Sequence, residues 1–445
     1  MKVSKYNFFA HTSDGERIAF NGISCSLAKI DDDHFNEYKL IESGEENKSR
    51  LSDEKKRKIH QALLKGGFIY PADSLDEIEG ISFGYNKSKY ADGLLNLTIA
   101  PTMDCNFNCY YCYEKWKKQR DKTYMNRDTE NGLIKFADLF LANKRKLSVS
   151  WYGGEPLLAL DSIYRLSESF IKLCEKKKCG YDSDIITNGY HLKPEVVDNL
   201  IKYKVRSAQI TIDGPKDIHD SRRYDIEKGE SFETIMENIA YAKKFMNVII
   251  RINVDKKNSH RVEEFLDYLV GSNLTENIGV YMGRVYDCKQ DPLSKHHNLL
   301  YESKEFFQKR KEILSKAILE KKLGWIGPYP SPLVLPCGAV NINTFVIASD
   351  GYVYKCWEVI GEKEEAVFHV SKPEIINKKL LKWVNWDPKD NEECRECKFL
   401  PLCNGGCVVT AMKGKNRCSY WKDNLSDMLG ILAYKHEHLV GKRNA

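Results

Sequence analysis

Cys105, Cys109 and Cys112 stand at C-x3-C-x2-C spacing, directly after a strand-like apolar run over 94–100. Three clustered thiols are one ligand short of a closed site. Structural zinc takes four ligands, and a four-iron cluster held wholly by protein takes four thiolates. The loop therefore suits a [4Fe–4S] cluster with one iron open to a ligand that is not protein. A second set lies downstream: Cys337 and Cys356 in a C-x13-G-x4-C pattern, then Cys394-x2-Cys397-x5-Cys403-x3-Cys407, then Cys418. Taken alone, the 394–407 stretch fits a zinc ribbon about as well as an iron–sulfur site. Cys25, Cys174, Cys179 and Cys288 stand outside both sets and read as ordinary buried or surface thiols.

Such loops need a scaffold to bring them together. Between 94 and 287, strand patterns at 94–100, 147–151, 184–186, 208–212, 248–254 and 278–282 alternate with helix patterns at 130–141, 163–174, 194–203, 232–245 and 262–270. In the second helix Ile163, Leu166, Phe170 and Leu173 recur at helical spacing and predict one apolar face. Six such units predict an α/β fold with a parallel sheet, open or rolled into a partial (β/α)6 TIM-like barrel. Function in such sheets sits at the C-terminal strand ends. The cysteine loop follows the first strand and Gly153-Gly154-Glu155-Pro156 the second; Thr187-Asn188-Gly189 ends the third and Thr211-Ile212-Asp213-Gly214 the fourth. Each turn alone is an ordinary βα loop, but four on one rim can face one ligand.

Residues 1–92 hold no cluster cysteine and read as a separate module. Strands at 6–10 and 17–20 flank the Ser13-Asp14-Gly15 turn, and helices follow at 33–42 and 52–64, the second stopping at Gly66-Gly67. A strand at 68–70 ends before Pro71. The layout resembles a winged-helix peptide-docking domain. The remaining division is a core over 93–290, a helical linker over 291–336 whose Lys/Glu-rich helix at 302–323 presents a solvated face, a cysteine-rich domain over 337–420 and a C-terminal helix over 421–445. Lys+Arg 69 against Asp+Glu 63 is a mild excess spread along the chain. It is no nucleic-acid footprint, though it tolerates an acidic peptide. No apolar run reaches the roughly 18 residues that span a bilayer, and the N-terminus lacks a signal-peptide pattern. A cytoplasmic location without membrane attachment is expected, where clustered cysteines serve metals rather than disulfides.

The C-x3-C-x2-C loop with Tyr111 before its last cysteine, the G-G-E-P turn and the T-N-G turn together resemble the radical S-adenosylmethionine (SAM) superfamily, over about 94–290. The resemblance implies that Cys105, Cys109 and Cys112 hold a [4Fe–4S] cluster whose open iron is chelated by SAM, the source of a 5′-deoxyadenosyl radical. It further implies that Tyr111 packs near the adenine and that Gly153, Gly154 and Glu155 receive the methionine ammonium. Arg223 would take the carboxylate, with Asn188 and Thr211 as ribose or carboxylate contacts. A reducing donor of flavodoxin or ferredoxin type is the implied electron source.

The seven-cysteine order over 337–420 resembles the SPASM extension of such enzymes. Carried over, Cys337, Cys356 and Cys407 serve one auxiliary [4Fe–4S] cluster, and Cys394, Cys397, Cys403 and Cys418 close a second. Two positions depart from the sulfatase-maturing relatives. Ser331 stands where those enzymes carry a further cysteine, so the first auxiliary cluster keeps an open iron for a substrate thiolate unless Cys288 or another residue completes it. Trp357 stands where their catalytic acid follows the second cysteine, leaving Glu358 as the weak catalytic candidate beside Asp350, Asp287 and several tyrosines. The function expected is a maturase of a ribosomally made precursor peptide, held by its leader on residues 1–92. The product is a thioether first, a carbon–carbon crosslink second. The alternatives are a maturase of a whole protein such as a sulfatase or quinoprotein subunit, or a non-catalytic iron–sulfur scaffold.

Overall fold

The computed structural model describes residues 1–12, 14–112, 123–286, 297–327, 329–374, 376–414 and 418–440; Asp287 and Cys288 lie outside them. The chain divides into two compact units, one of Met1–Lys89, Phe307–Cys337 and Trp386–Ala445, the other of Tyr90–Phe306 and Gly338–Asn385.

Six parallel strands form the body of the second unit: β1 (Leu94–Ile99), β2 (Lys146–Trp151), β3 (Gly180–Thr187), β4 (Val205–Thr211), β5 (Asn247–Val254) and β6 (Ile278–Arg284). Each pairs with its predecessor, as βα units with right-handed crossovers do. The crossovers carry α1 (Arg127–Phe140), α2 (Leu160–Lys177), α3 (Pro194–Lys202), α4 (Lys216–Arg222), α5 (Phe232–Ala242) and α6 (Val262–Gly271). Asn126 caps α1 through the Thr129 N–H, and Pro194 opens α3, where a missing N–H costs nothing. The apolar stripe on α2 drifts from Ile163, Leu166 and Phe170 to Cys174 rather than to Leu173, because a 3.6-residue repeat carries it one position on. The α/β partial-barrel expectation holds.

Every second residue along these strands is buried: Leu95, Leu97 and Ile99 on β1, Leu147, Val149 and Trp151 on β2, Val248, Ile250 and Ile252 on β5. Most alternate positions are polar and only partly covered, including Thr98, Ser150, Asp184, Gln209, Arg251 and Tyr281. A parallel sheet buried on both faces reads as a continuous apolar run. This alternation instead marks one solvated face, suited to a cavity.

The sheet does not stop at β1. The strands β7 (Thr344–Ile347), β8 (Tyr352–Tyr354) and β9 (Phe368–His369) extend it, β7 parallel to β1 and the other two antiparallel. The first hairpin of the cysteine-rich stretch is thus part of the barrel's own sheet. The glycine of the C-x13-G-x4-C pattern is its turn residue: Gly351 has φ 84°, and a Cβ there would meet His369 Nε2 at 2.6 Å.

In the first unit, Asn7–His11, Arg17–Asn21 and Leu27–Lys29 make an antiparallel sheet, and Lys2–Val3 pairs with Ile69–Tyr70. Helices Asp32–Glu42 and Asp53–Lys65 close over a core of Ala19, Tyr38, Ile41, Ile59, Leu63, Phe68 and Ile69. A further helix, Glu77–Lys89, escapes the sequence pattern because Gly80 and Gly84 lower its propensity. The helix expected over 302–323 forms as Ser303–Ser315 with a π-turn at Lys316–Glu320. It is not solvated all round: Ile313, Leu314, Ala317 and Ile318 are buried, and Lys311 pairs with Asp427 of the helix Trp421–Lys435.

Candidate functional site

At the C-terminal ends of the strands, a cavity of about 320 Å³ is lined by Cys105, Cys109 and Cys112 together with the loops after β2, β3 and β4. Tyr111, Gly153, Gly154, Asn188, Thr211 and Arg223 all line it. Four strand ends and three thiols therefore share one space.

Backbone contacts hold the cysteine loop in place. Gly154 N–H donates to Thr102 O at 3.3 Å and Glu155 N–H to Asp104 O at 2.7 Å. A Cβ on Gly153 would sit 2.3 Å from Thr102 O, and one on Gly154 2.1 Å from Asp104 O. The paired glycines are there because two main chains touch. On its other side the loop bridges to the segment after α4. Phe107 pairs with Asp225, Asn108 N–H donates to Tyr224 O at 3.1 Å, and Asn106 Nδ2 donates to Asp225 Oδ2 at 2.7 Å. Asn188 Nδ2 completes the ring by donating to Asn106 Oδ1 at 2.8 Å.

Glu155 is fully buried and does not line the cavity. Its Oε1 accepts from Thr187 Oγ1 at 2.6 Å and Leu157 N–H at 3.0 Å, and its Oε2 accepts from Asn188 N–H at 2.7 Å. Burial pushes its carboxyl up, against those three donors. It ties the end of β2 to the end of β3.

Two adjacent arginines do different work. Arg222 is locked: Nε donates to Asp213 Oδ2 at 2.9 Å, Nη1 to both Asp255 oxygens and to Tyr110 Oη at 2.9 Å, and Nη2 to Asn253 O at 3.0 Å. Burial acts against ionised Asp213, but the Arg222 and Arg223 charges hold its carboxyl below the usual range. Burial lifts Asp255 to about 6. Arg223 lines the cavity and donates Nη1 to Tyr111 Oη at 2.8 Å, while its buried Nε has no hydrogen-bond partner among the described residues. Tyr111 Oη also donates to Asp213 at 2.7 Å and accepts from Asn253 Nδ2 at 3.1 Å, which fixes its ring as one wall.

At the mouth stand Tyr152, Tyr286 and Trp357. Tyr286 Oη donates to Glu358, the weak catalytic candidate, and Trp357 packs on Tyr152 at a centroid distance of 6.2 Å. Sequence reading missed Gln209, Arg251, Asn253, Tyr281 and Arg284, which also line the cavity. The signal was present for Arg251, a lone polar residue between Ile250 and Ile252.

The second thiol set divides between the units. Cys394, Cys397, Cys403 and Cys418 all belong to the first unit, as do Cys337 and Cys407, whereas Cys356 follows β8 in the other. Asn391 caps the short helix Glu392–Arg395 through Cys394 N–H. Burial pushes the Cys403 thiol up, and the backbone N–H groups of Ser419 and Gly405 and the charges of Cys418 and Cys394 also act on it. Lys422 Nζ donates to Cys418 Sγ at 3.8 Å. Among the described residues, no three His, Cys, Asp or Glu groups converge as ligands of one metal ion.

A family model described as the radical SAM superfamily matches residues 99–269. The cysteine-type anaerobic sulfatase-maturating enzyme of Clostridium novyi is 26% identical over 341 residues, 70% of this chain and 87% of that protein. Among solved structures, native anSMEcpe with bound AdoMet and Kp18Cys peptide matches with a TM-score of 0.61 at 21% identity, over 79% of this chain and 99% of that one. SuiB of Streptococcus suis bound to its precursor peptide SuiA matches with a TM-score of 0.53 at 15% identity, over 94% and 99%. Both structural matches are likenesses of fold. The chain carries a radical SAM domain with a maturase-type relationship, and the cofactors of this enzyme class are a [4Fe–4S] cluster and SAM.

Proposed function

Starting from a radical SAM domain over residues 99–269, we propose that this chain is a maturase that crosslinks a ribosomally made precursor peptide. Thioether formation at a cysteine is the leading product and a carbon–carbon bond the second. The observation that carries the reading is the cavity, in which three thiols and the ends of four parallel strands enclose one space.

The residues fit the cofactors. Cys105, Cys109 and Cys112 would hold the cluster, and Arg223, with a buried unpaired Nε beside the cavity, suits a carboxylate. When bound, the cluster and SAM supply a 5′-deoxyadenosyl radical that abstracts hydrogen. The chain's own part is placement and exclusion of water. Gly153 and Gly154 leave bare backbone at the rim, Asn188 and Thr211 add polar contacts, and Tyr111 is a fixed wall. Glu155 acts through the rim, holding the second and third strand ends together. Cys394, Cys397, Cys403 and Cys418 would hold one auxiliary cluster. The module over 1–92 would hold the leader, and a flavodoxin- or ferredoxin-type protein would supply electrons.

A peptide substrate is supported by the relatives, since SuiB is bound to a precursor peptide and anSMEcpe to a Kp18Cys peptide. Sulfatase maturation is disfavoured by Trp357, which cannot accept a proton after Cys356. Reconstituted protein with dithionite and SAM should release 5′-deoxyadenosine. With a small cysteine-rich peptide encoded beside its gene, it should yield a product lighter by two hydrogens in mass spectrometry. Release of 5′-deoxyadenosine without any mass change across such peptides would sink the crosslinking reading.

A further inference from the structure

The cavity wall is charged in one sense. Arg223, Arg251 and Arg284 all line it, and its described lining residues include no aspartate or glutamate. The proposed cofactors do not balance this charge. An oxidised four-iron cluster with three thiolates carries one net negative charge. SAM, with a sulfonium, an ammonium and a carboxylate, carries one net positive charge. The two cancel, and SAM has only one carboxylate to offer, which Arg223 is placed to take. Two guanidiniums remain.

Both are built into the wall. Arg251 Nε donates to Asn253 Oδ1 at 2.8 Å, and the guanidinium lies 5.8 Å from the Tyr281 ring centroid. Room for it comes from Gly283 on β6, where a Cβ would meet Arg251 Nε at 2.9 Å and Nη2 at 3.0 Å. Tyr281 is itself held by its Oη donating to Gln209 at 2.8 Å. Arg284 Nη1 donates to Tyr301 O at 3.3 Å, and its guanidinium lies 5.7 Å from the Tyr286 ring centroid. Among the described residues, neither arginine makes an ion pair within 4 Å, and the one carboxylate whose charge acts on Arg284, Glu302, does not line the cavity. A planar fork held on an aromatic face with free edges matches a carboxylate in two-pronged fashion.

We propose that Arg251 and Arg284 form a carboxylate subsite for the substrate, so that the peptide segment entering the cavity presents an acidic side chain or a free C-terminal carboxylate. This rests on the radical SAM reading of the cavity, and the test separates the two. Full-length, reconstituted, SAM-loaded protein is titrated anaerobically with three probes, Ac-Gly-Glu-Gly-NH2, Ac-Gly-Gln-Gly-NH2 and Ac-Gly-Gly-Gly-OH, by ligand-observed NMR. 5′-Deoxyadenosine release is read on the same sample. At least one carboxylate probe should bind about tenfold tighter than the glutamine probe. The tighter of the two names the source as side chain or chain end. Arg251→Gln and Arg284→Gln should each erode the preference, and Arg251→Lys, which keeps the charge, should retain part of it. Equal or undetectable binding of all three probes overturns the proposal, as does a preference unchanged in the doubly substituted protein. Loss of 5′-deoxyadenosine release with the preference intact would sink the cofactor reading and leave the subsite standing.

Discussion

The loop from Cys105 to Cys112 is pinned between two parts of its own barrel, whereas the thiols from Cys394 to Cys418 sit on or beside short helices tied to Leu333, Val334 and Phe8. Around the first, Gly154 and Glu155 fix one side, Tyr224 and Asp225 the other, and Asn188 links to Asn106. Cys109 is 7% exposed. Around the second, the supports are a four-residue helix at Glu392–Arg395, another at Leu400–Cys403 ending on Asn404 at φ 45°, the Asn404 amide donating to Leu333 O and Val334 O, the Phe8 ring against Phe399, and a lysine on Cys418. Cys337, Cys407 and Cys418 are exposed. Short helices have little stability of their own, so a metal held by the second set would add much of the order there, while the first loop is held by hydrogen bonds of the barrel itself.

The largest effect should come from breaking the first region at its centre. Cys109→Ala should bring 5′-deoxyadenosine release to background and lower bound iron by one cluster, while the far-UV spectrum stays unchanged. Persistent release would remove the loop from the chemistry. Next comes metal removal. After chelation, amides over 392–407 should lose nearly all hydrogen-exchange protection, while those of β1 and of Gly154 and Glu155 keep theirs. Equal loss in both regions would erase the distinction. Gly154→Ala is smaller. A Cβ 2.1 Å from Asp104 O must push the rim off the cysteine loop, at a cost of about 2–4 kcal/mol read as urea stability of the metal-free protein.

Much of the first region was legible because its signals are local. Six short strand-like runs between helix patterns placed the strands, and the turns after them supplied the rim. What stayed hidden depends on distant partners. Glu155 reads as a receiver of the methionine ammonium, and only Thr187 and Asn188, more than thirty positions on, make it a buried brace. The strands β7 to β9 are two to four residues long, too short for a period, and their place beside β1 is set by pairing. Arg251 was hidden in plain view, since a charged residue inside an apolar strand is informative only once the sheet's open face is known.

The smallest effect tests how the first region is braced from behind. His219 is buried, and its Nδ1 accepts Asp213 N–H at 3.3 Å while Nε2 meets Ser231 Oγ at 3.1 Å. Ser231 Oγ donates to Arg223 O at 2.7 Å, so the imidazole sits with its proton on Nε2 and is neutral. Burial foremost, and then the Arg223 charge, push it down to about 3. In the unfolded chain the same group titrates near 6.5. Between these values the unfolded state binds the extra proton, so stability falls as pH falls, by about 1.4 kcal/mol per unit at most. Urea unfolding of metal-free protein at pH 7.5 and 5.5 should show this slope, and His219→Gln, which cannot titrate, should flatten it by about 1 kcal/mol. The lost protection at low pH should fall on amides over 211–225 and spare 392–407. An identical slope in the variant would mean that the brace behind Arg223 carries no proton-linked stability.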